Sequence, residues 1–435
     1  MSEQRHAVLA AATLVLTAVA VAMPSTALAT SAPTTKLVSQ SSAGVLGNRS
    51  SAEPSLSADG RYVAFISNAT NLVPGDTNNR IDVFVRDLST GSVVRASVSA
   101  DGVQANGNSN QPRISGNGRY VTFSSFATNL VAGDHNKQPD VFVRDMVTGV
   151  MKMASVGPGY ARPNGDSAAP SISADGRYIA FISSASNLVA GDTNGTADIF
   201  LRDMTTAVTS RISVTTGALQ ANGNSDGPSI SADGRFIAFD SGATNLVPGD
   251  TNGVTDVFLR DRTAGTTKRI SVGPYGVQAD GEVTQPAISA DGKYVAFVSE
   301  ASNLVGTDTD LNGDVVRRTL ASGVNVQVAF RTDDLPGSFA TGPSISGNGN
   351  LVAFTTSSDL LPADTNQNQD VYLRNVSAGT YELISVDQSG GGAGLDSANP
   401  AISTQGNRVG FTSSAATLVT GDTNNTEDVF VRFRS

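Results

Sequence analysis

From residue 36 onward, apolar residues come in short bursts bounded by turn residues, with no helical three-and-four spacing. One stretch gives the pattern. Ser171-Ile172-Ser173 opens a strand, and Ala174-Asp175-Gly176-Arg177 turns the chain tightly. Tyr178 to Ser183 reads as a strand buried on both faces. A long polar loop, Asn187 to Ala197, precedes a third strand from Asp198 to Asp203. Ser210 to Val214 reads as a fourth, and a second polar loop through Gln220-Ala221-Asn222-Gly223 leads to Pro228.

This text recurs. Pro54, Pro112, Pro170, Pro228, Pro286, Pro343 and Pro400 mark seven copies, spaced 58, 58, 58, 58, 57 and 57 residues apart. A fixed period means that each unit buries its apolar face against its neighbours. Four strands in an up-and-down meander, repeated around a ring, make an all-β fold: a seven-bladed β-propeller of four-stranded antiparallel blades. A right-handed solenoid is the competing architecture, but its repeats are usually shorter, at ~20–45 residues.

The chain ends bear on closure. The seventh copy stops after its third strand, at Val429-Phe430-Val431-Arg432. Lys36-Leu37-Val38-Ser39 reads as an orphan fourth strand. Ser97, Ser155, Ser213, Ser271 and Ser385 each lie 15 residues before the next Pro, and so does Ser39. The N-terminal strand is therefore expected to complete the last blade, which removes the exposed sheet edges. The domain spans 36–435, after a short linker at 30–35.

Residues 1–29 read as a cleaved export signal: Arg5 and His6, an apolar run from Ala7 to Met23, then Ala27-Leu28-Ala29. An uncleaved membrane anchor is the alternative. Secretion or placement in the cell envelope follows. The net charge of −10 disfavours nucleic acid and anionic membrane surfaces as partners. With no cysteine there is no disulfide framework and no thiolate chemistry.

The text S-x-D-G-R-Y-V-A-F, followed by D-V-F-V-R-D-x-x-T-G, resembles the WD40-like repeats of TolB-type propellers, and the resemblance covers residues 34 to 435. It implies the fold and leaves function open, since such propellers serve as binding platforms and as appendages to enzymes. TolB-type propellers commonly have six blades and a separate N-terminal domain, so a role in the Tol envelope system does not carry over.

A residue present in every copy serves blade geometry. Arg86, Arg144, Arg202, Arg260, Arg318, Arg374 and Arg432 are read this way, tied to carboxylates or turn carbonyls. Phe84, Phe142, Phe200, Phe258, Tyr372 and Phe430 are read as core aromatics between blades.

The loop D-T-N-x-x-x-D carries the best chemical signal. Oxygen ligands at alternate positions of a tight loop suit Ca²⁺. The strongest copies are Asp308, Asp310, Asn312 and Asp314 in the fifth repeat, and Asp364, Asn366, Asn368 and Asp370 in the sixth. Structural Ca²⁺ is one reading. The other is a set of metal-free Asx-turns, and no glutamate stands at the twelfth position to complete an EF-hand. Departures from the pattern gather in the fourth to sixth copies, Asp240 and Gly390 to Gly392 among them. Tyr160, Arg162 and Tyr275 place larger side chains in the loops between repeats.

Downstream of the leader, His135 is the one histidine, and there is no G-x-S-x-G elbow. A secreted non-catalytic scaffold for a protein or an extracellular ligand is the expected function. The alternative is an extracellular carbohydrate-active lyase or hydrolase using carboxylates at the channel mouth.

Overall fold

The computed structural model describes residues 33–306, 308, 312–329 and 339–434. The leader read at 1–29, and Asp310, lie outside these residues. Seven four-stranded antiparallel sheets stand around a central channel. The first blade contains Ser51–Leu56, Tyr62–Ser67, Asp82–Asp87 and Val93–Arg95, in chain order from the channel outward. The inner strands of neighbouring blades touch, the first and last included. Among the described residues, no helix is long and apolar enough to cross a membrane.

The last blade is built as expected. Thr34–Leu37 pairs antiparallel with Asp428–Phe433, Thr34 opposite Phe433 and Leu37 opposite Phe430. Beyond that ladder, Ser39 Oγ donates to Asp428 Oδ1 at 2.5 Å, and the Val429 N–H donates to Ser39 Oγ at 3.0 Å. The same clamp joins Ser97 to Asp82, Ser155 to Asp140, Ser213 to Asp198, Ser271 to Asp256 and Ser385 to Asp370.

The repeated text can be read as geometry. Arg177 grips Asp203 through two hydrogen bonds, at 3.1 and 2.8 Å, and lies over the Tyr178 ring at 4.7 Å. Gly176 has φ +79°, and a Cβ there would sit 2.1 Å from the Tyr120 ring of the preceding blade. Glycine thus serves the turn and the blade contact together. Phe181 and Phe200 stack across adjacent strands at 6.0 Å and are fully buried, packed against Val141 and Val143 of the preceding blade. The recurrent arginines bond mostly to backbone carbonyls of the preceding blade: Arg86 to Gln40 O at 2.7 Å, Arg144 to Val98 O at 2.8 Å.

Two strand boundaries differ from expectation. The inner strand runs Ser167–Ile172, starting four residues before Ser171. It continues across a bulge at Ala169, where φ is +47°. The fourth strand, Val208–Arg211, ends before Ser213 because that serine leaves the ladder for its aspartate clamp.

Candidate functional site

In the blades whose loops are described, both long loops open on one face of the ring and bond to each other. In the first blade, Gln104 Nε2 donates to Gly75 O at 2.8 Å and to Thr77 Oγ1 at 3.0 Å. The two aspartates of the D-T-N loop lie beneath. The second, Asp82, is fully buried and accepts from Ser97 Oγ and from Asn78 Nδ2 at 2.8 Å.

What neutralises this pair is a side chain absent from the loop itself. Arg95, on the outer strand, places Nη1 3.0 Å from Asp76 and 3.1 Å from Asp82. Arg211 does the same with Asp192 and Asp198 at 3.3 and 3.1 Å, and Arg269 with Asp250 and Asp256 at 2.9 and 3.0 Å. In the second blade Met153 takes the strand position, and Arg162 reaches in from the inter-blade loop to Met153 Sδ at 3.2 Å and Gly133 O at 3.2 Å. Burial raises Asp140 there to about 7, against the hydrogen bonds from Asn136 and Ser155. His135 is exposed on this loop.

The fifth and sixth copies, where the spacing best suits calcium, differ from one another. Asp308 is buried, and Asp314 accepts from Gln327 Nε2 at 2.8 Å. Asn312 is half-buried. In the sixth blade Asp364, Asn366 and Asp370 come together. Asn366 turns its NH2 to Asp370 at 3.0 Å and its oxygen to the Asn368 N–H at 2.9 Å, an Asx-turn. Asn368 thus enters through its backbone. Among the described residues, no three His, Cys, Asp or Glu side chains are grouped to hold a metal.

The second candidate site is the channel. The residue before each repeated proline has positive φ: Glu53, Gln111, Ala169, Gly227, Gln285, Gly342 and Asn399. Proline is tolerated here because the strand is an edge. The left-handed turn, costing about 1–3 kcal/mol for a non-glycine residue, aims the side chain at the next blade. Glu53 Oε2 accepts from the Gln111 N–H at 2.8 Å, Gln111 Oε1 from the Ala169 N–H at 2.8 Å, and Gln285 Oε1 from the Gly342 N–H at 3.0 Å. At Gly227 no side chain exists, and Asp240 replaces it. The Asp240 Oδ1 atom lies 2.5 Å from where a Gly227 Cβ would be, and the carboxylate accepts from the Gln285 N–H. Burial raises Asp240 to about 7, and Asp226 and Glu282 add to the rise.

The residue after each proline also faces inward. Ser55, Ser171, Ser229 and Ser344 accept the N–H of Ile114, Ile230, Ile288 and Ile402 of the next blade at 3.0–3.2 Å. Blade 2 has Arg113 instead. Its guanidinium faces the channel and donates to Pro112 O at 2.9 Å. Enclosure by the ring lowers it from the ordinary arginine value, and Glu53 opposes that shift. The inner strands enclose a cavity of about 560 Å³, whose charged lining residues are Glu53 and Arg113. The sequence reading singled out Asp240 but missed both. Aligning the copies reveals Arg113, since its position otherwise holds Ser or Ala.

No family model matches this chain, and no curated protein matches it by sequence. It is similar to the solved structure of an oligogalacturonate lyase in complex with manganese, at 13% identity over 93% of this chain and 97% of that one, with a TM-score of 0.55. It is also similar to a puromycin hydrolase, at 14% identity over 87% of this chain and 51% of that one, with a TM-score of 0.52. A putative TolB from Agrobacterium tumefaciens matches at 15% identity over 81% of this chain and 98% of that one, with a TM-score of 0.43. Such identities speak for the fold alone, and the last score carries no argument.

Proposed function

We propose that this chain is a non-catalytic binding propeller that works outside the cytoplasm and takes its ligand in the central channel. The observation that carries the reading is the adjacency of Glu53 and Arg113 in a cavity of about 560 Å³ otherwise lined by prolines, backbone, small polar side chains and a few aliphatic ones. One anion and one cation on neighbouring blades suit a polar ligand that bears both charges, such as the end of a peptide chain. The remaining contacts recur from blade to blade, which assigns them to blade cohesion. The export-like leader supports the extracytoplasmic placement.

The test is an array of peptides and cell-wall glycans probed with the mature protein, followed by titration of the best binder against wild type and Arg113→Ala. At least tenfold weaker binding by Arg113→Ala, with an unchanged melting point, is expected. Equal binding by both proteins removes the channel from the reading. Turnover of oligogalacturonate or another polysaccharide by the wild-type protein replaces the reading with the enzymatic one.

A further inference from the structure

We propose that a peptide enters the channel carboxylate first from the long-loop face, with a positive charge of its own following at Glu53; this rests on the binding role given to the channel above. The inner strands run from the long-loop face to the short-turn face, so position along a strand is depth in the channel. Glu53 is third in Ser51–Leu56, and Arg113 is fifth in Ser109–Ile114. Arg113 thus lies deeper by roughly 6 Å, at the usual rise of a strand residue.

At the depth of Arg113 the lining donates. The guanidinium uses Nη1 on Pro112 O at 2.9 Å, and its other N–H groups meet no acceptor among the described residues. Ser55 and Ser171 flank it on the neighbouring blades, and Ser229 and Ser344 line the same depth. Each of these serine oxygens accepts one backbone N–H of the next blade, and among the described residues their own O–H groups meet no acceptor. A guanidinium flanked by hydroxyl donors, with no carboxylate at that depth, suits an anion. Beyond it the lining turns aliphatic, with Leu56, Ile288, Ile345 and Ile402.

Nearer the long-loop face the lining accepts. Glu53 Oε2 takes the Gln111 N–H at 2.8 Å, and Oε1 meets no donor among the described residues. Asp226 and Glu282 stand exposed at the mouth, and Glu427 is half-buried there. Burial and the Glu53 charge raise Glu427 above the ordinary glutamate value. The channel is therefore negative at its mouth and positive at depth. The cavity's charged lining, Glu53 and Arg113, sums to zero. A ligand of one sign is opposed: a uronate or phosphate chain meets Glu53 and the acidic mouth, and a polyamine meets Arg113. A free peptide end has the matching order. Its carboxylate accepts two parallel N–H bonds from one guanidinium. The cation behind it is the α-amine in a dipeptide and a basic side chain in a longer peptide.

The experiment uses the full chain and mixed-sequence pools of dipeptides and of octapeptides, each made with a free C-terminal carboxylate and again as the amide. Equilibrium dialysis read by mass spectrometry measures retention. The free acids are expected to be retained about tenfold or more above the amides, the scale of lost hydrogen bonds to a charged group. Acetylation is expected to release retained dipeptides, and retained octapeptides are expected to be enriched in Lys and Arg. Retention of the dipeptides alone marks a free dipeptide as the ligand, and retention of octapeptides marks the tail of a longer chain. Arg113→Ser, the residue of blades 1, 3, 4 and 6, is expected to erase the preference for the carboxylate. Glu53→Gln keeps the acceptor for Gln111 and is expected to erase the preference for the cation. Retention of neither form, equal retention of acid and amide, or a carboxylate preference that survives Arg113→Ser overturns the proposal. A non-peptide ligand that is lost in Arg113→Ser overturns it as well, and leaves the binding role of the channel standing.

Discussion

Ser39 and Asp428 are 389 residues apart in sequence and joined by a 2.5 Å hydrogen bond in a fully buried setting. The same clamp recurs inside single blades, so the closing blade copies a local device with its two halves from opposite chain ends. Ser39→Ala leaves a buried carboxyl without its donor and is expected to cost about 1–3 kcal/mol by urea denaturation. Asp428 is raised to about 6 by burial, against the bonds from Ser39 and Asn424. A raised acid favours the folded state fully below its ordinary value near 3.8, and that contribution is lost as pH rises through 6. The Ser39→Ala defect is therefore expected to be larger at pH 8 than at pH 4.

Asp240 gives a second pH effect. Its carboxyl stands in for the missing side chain at Gly227 and faces Asp226 and Glu282. The rise from 3.8 to about 7 implies stability present in acid and lost as pH climbs through 7. The ceiling is on the order of 4 kcal/mol, at about 1.4 kcal/mol per pH unit. Asp240→Asn keeps the acceptor for Gln285 without the charge. Its stability is expected to vary less between pH 4 and pH 8 than that of wild type, and parallel profiles would remove Asp240 as the cause.

Arg211 tests the loop architecture. Its side chain and those of Asp192 and Asp198 are 8%, 5% and 0% exposed. Arg211→Leu strands two buried carboxylates and is expected to destabilise by about 3–5 kcal/mol in a denaturant melt.

On the opposite face, Asp145 is held well below the usual carboxylate range, chiefly by its hydrogen bonds from Arg119. This contribution is present above pH 3.8 and lost as pH falls. Arg119→Lys gives up the two-pronged grip, and its acid-unfolding midpoint is expected to move to higher pH.

The repeated text was legible because each of its residues does one geometric job in every copy. Gly176 admits Tyr120, Arg177 meets Asp203, and Ser213 clamps Asp198. The cation between the aspartates was not. Arg95 lies 13 residues after Asp82, on a strand whose equivalents hold Met153, Gln327 and Leu383. Only strand pairing brings it to the loop. The channel residues were hidden for a related reason: which inner-strand side chains point inward depends on a positive-φ bulge that leaves no sign beyond the following proline. Periodicity flagged Gly390 to Gly392 as a deviation. That Gly392 packs directly on Asp364 and Asp370 appears only in the folded chain.

The strand Thr34–Leu37 also sets an order of events. Translation makes it before every other strand of the ring and folding uses it last, because its seat on Asp428–Phe433 does not exist until the seventh copy has been made. Joining ends 389 residues apart costs about 5 kcal/mol of chain entropy, and the cost grows only logarithmically with length. The heavier risk is the interval before closure, when both ends of the ring present open strand edges. A chain that stops one copy short is then not a smaller propeller but an unsealed one, prone to pair with its own kind.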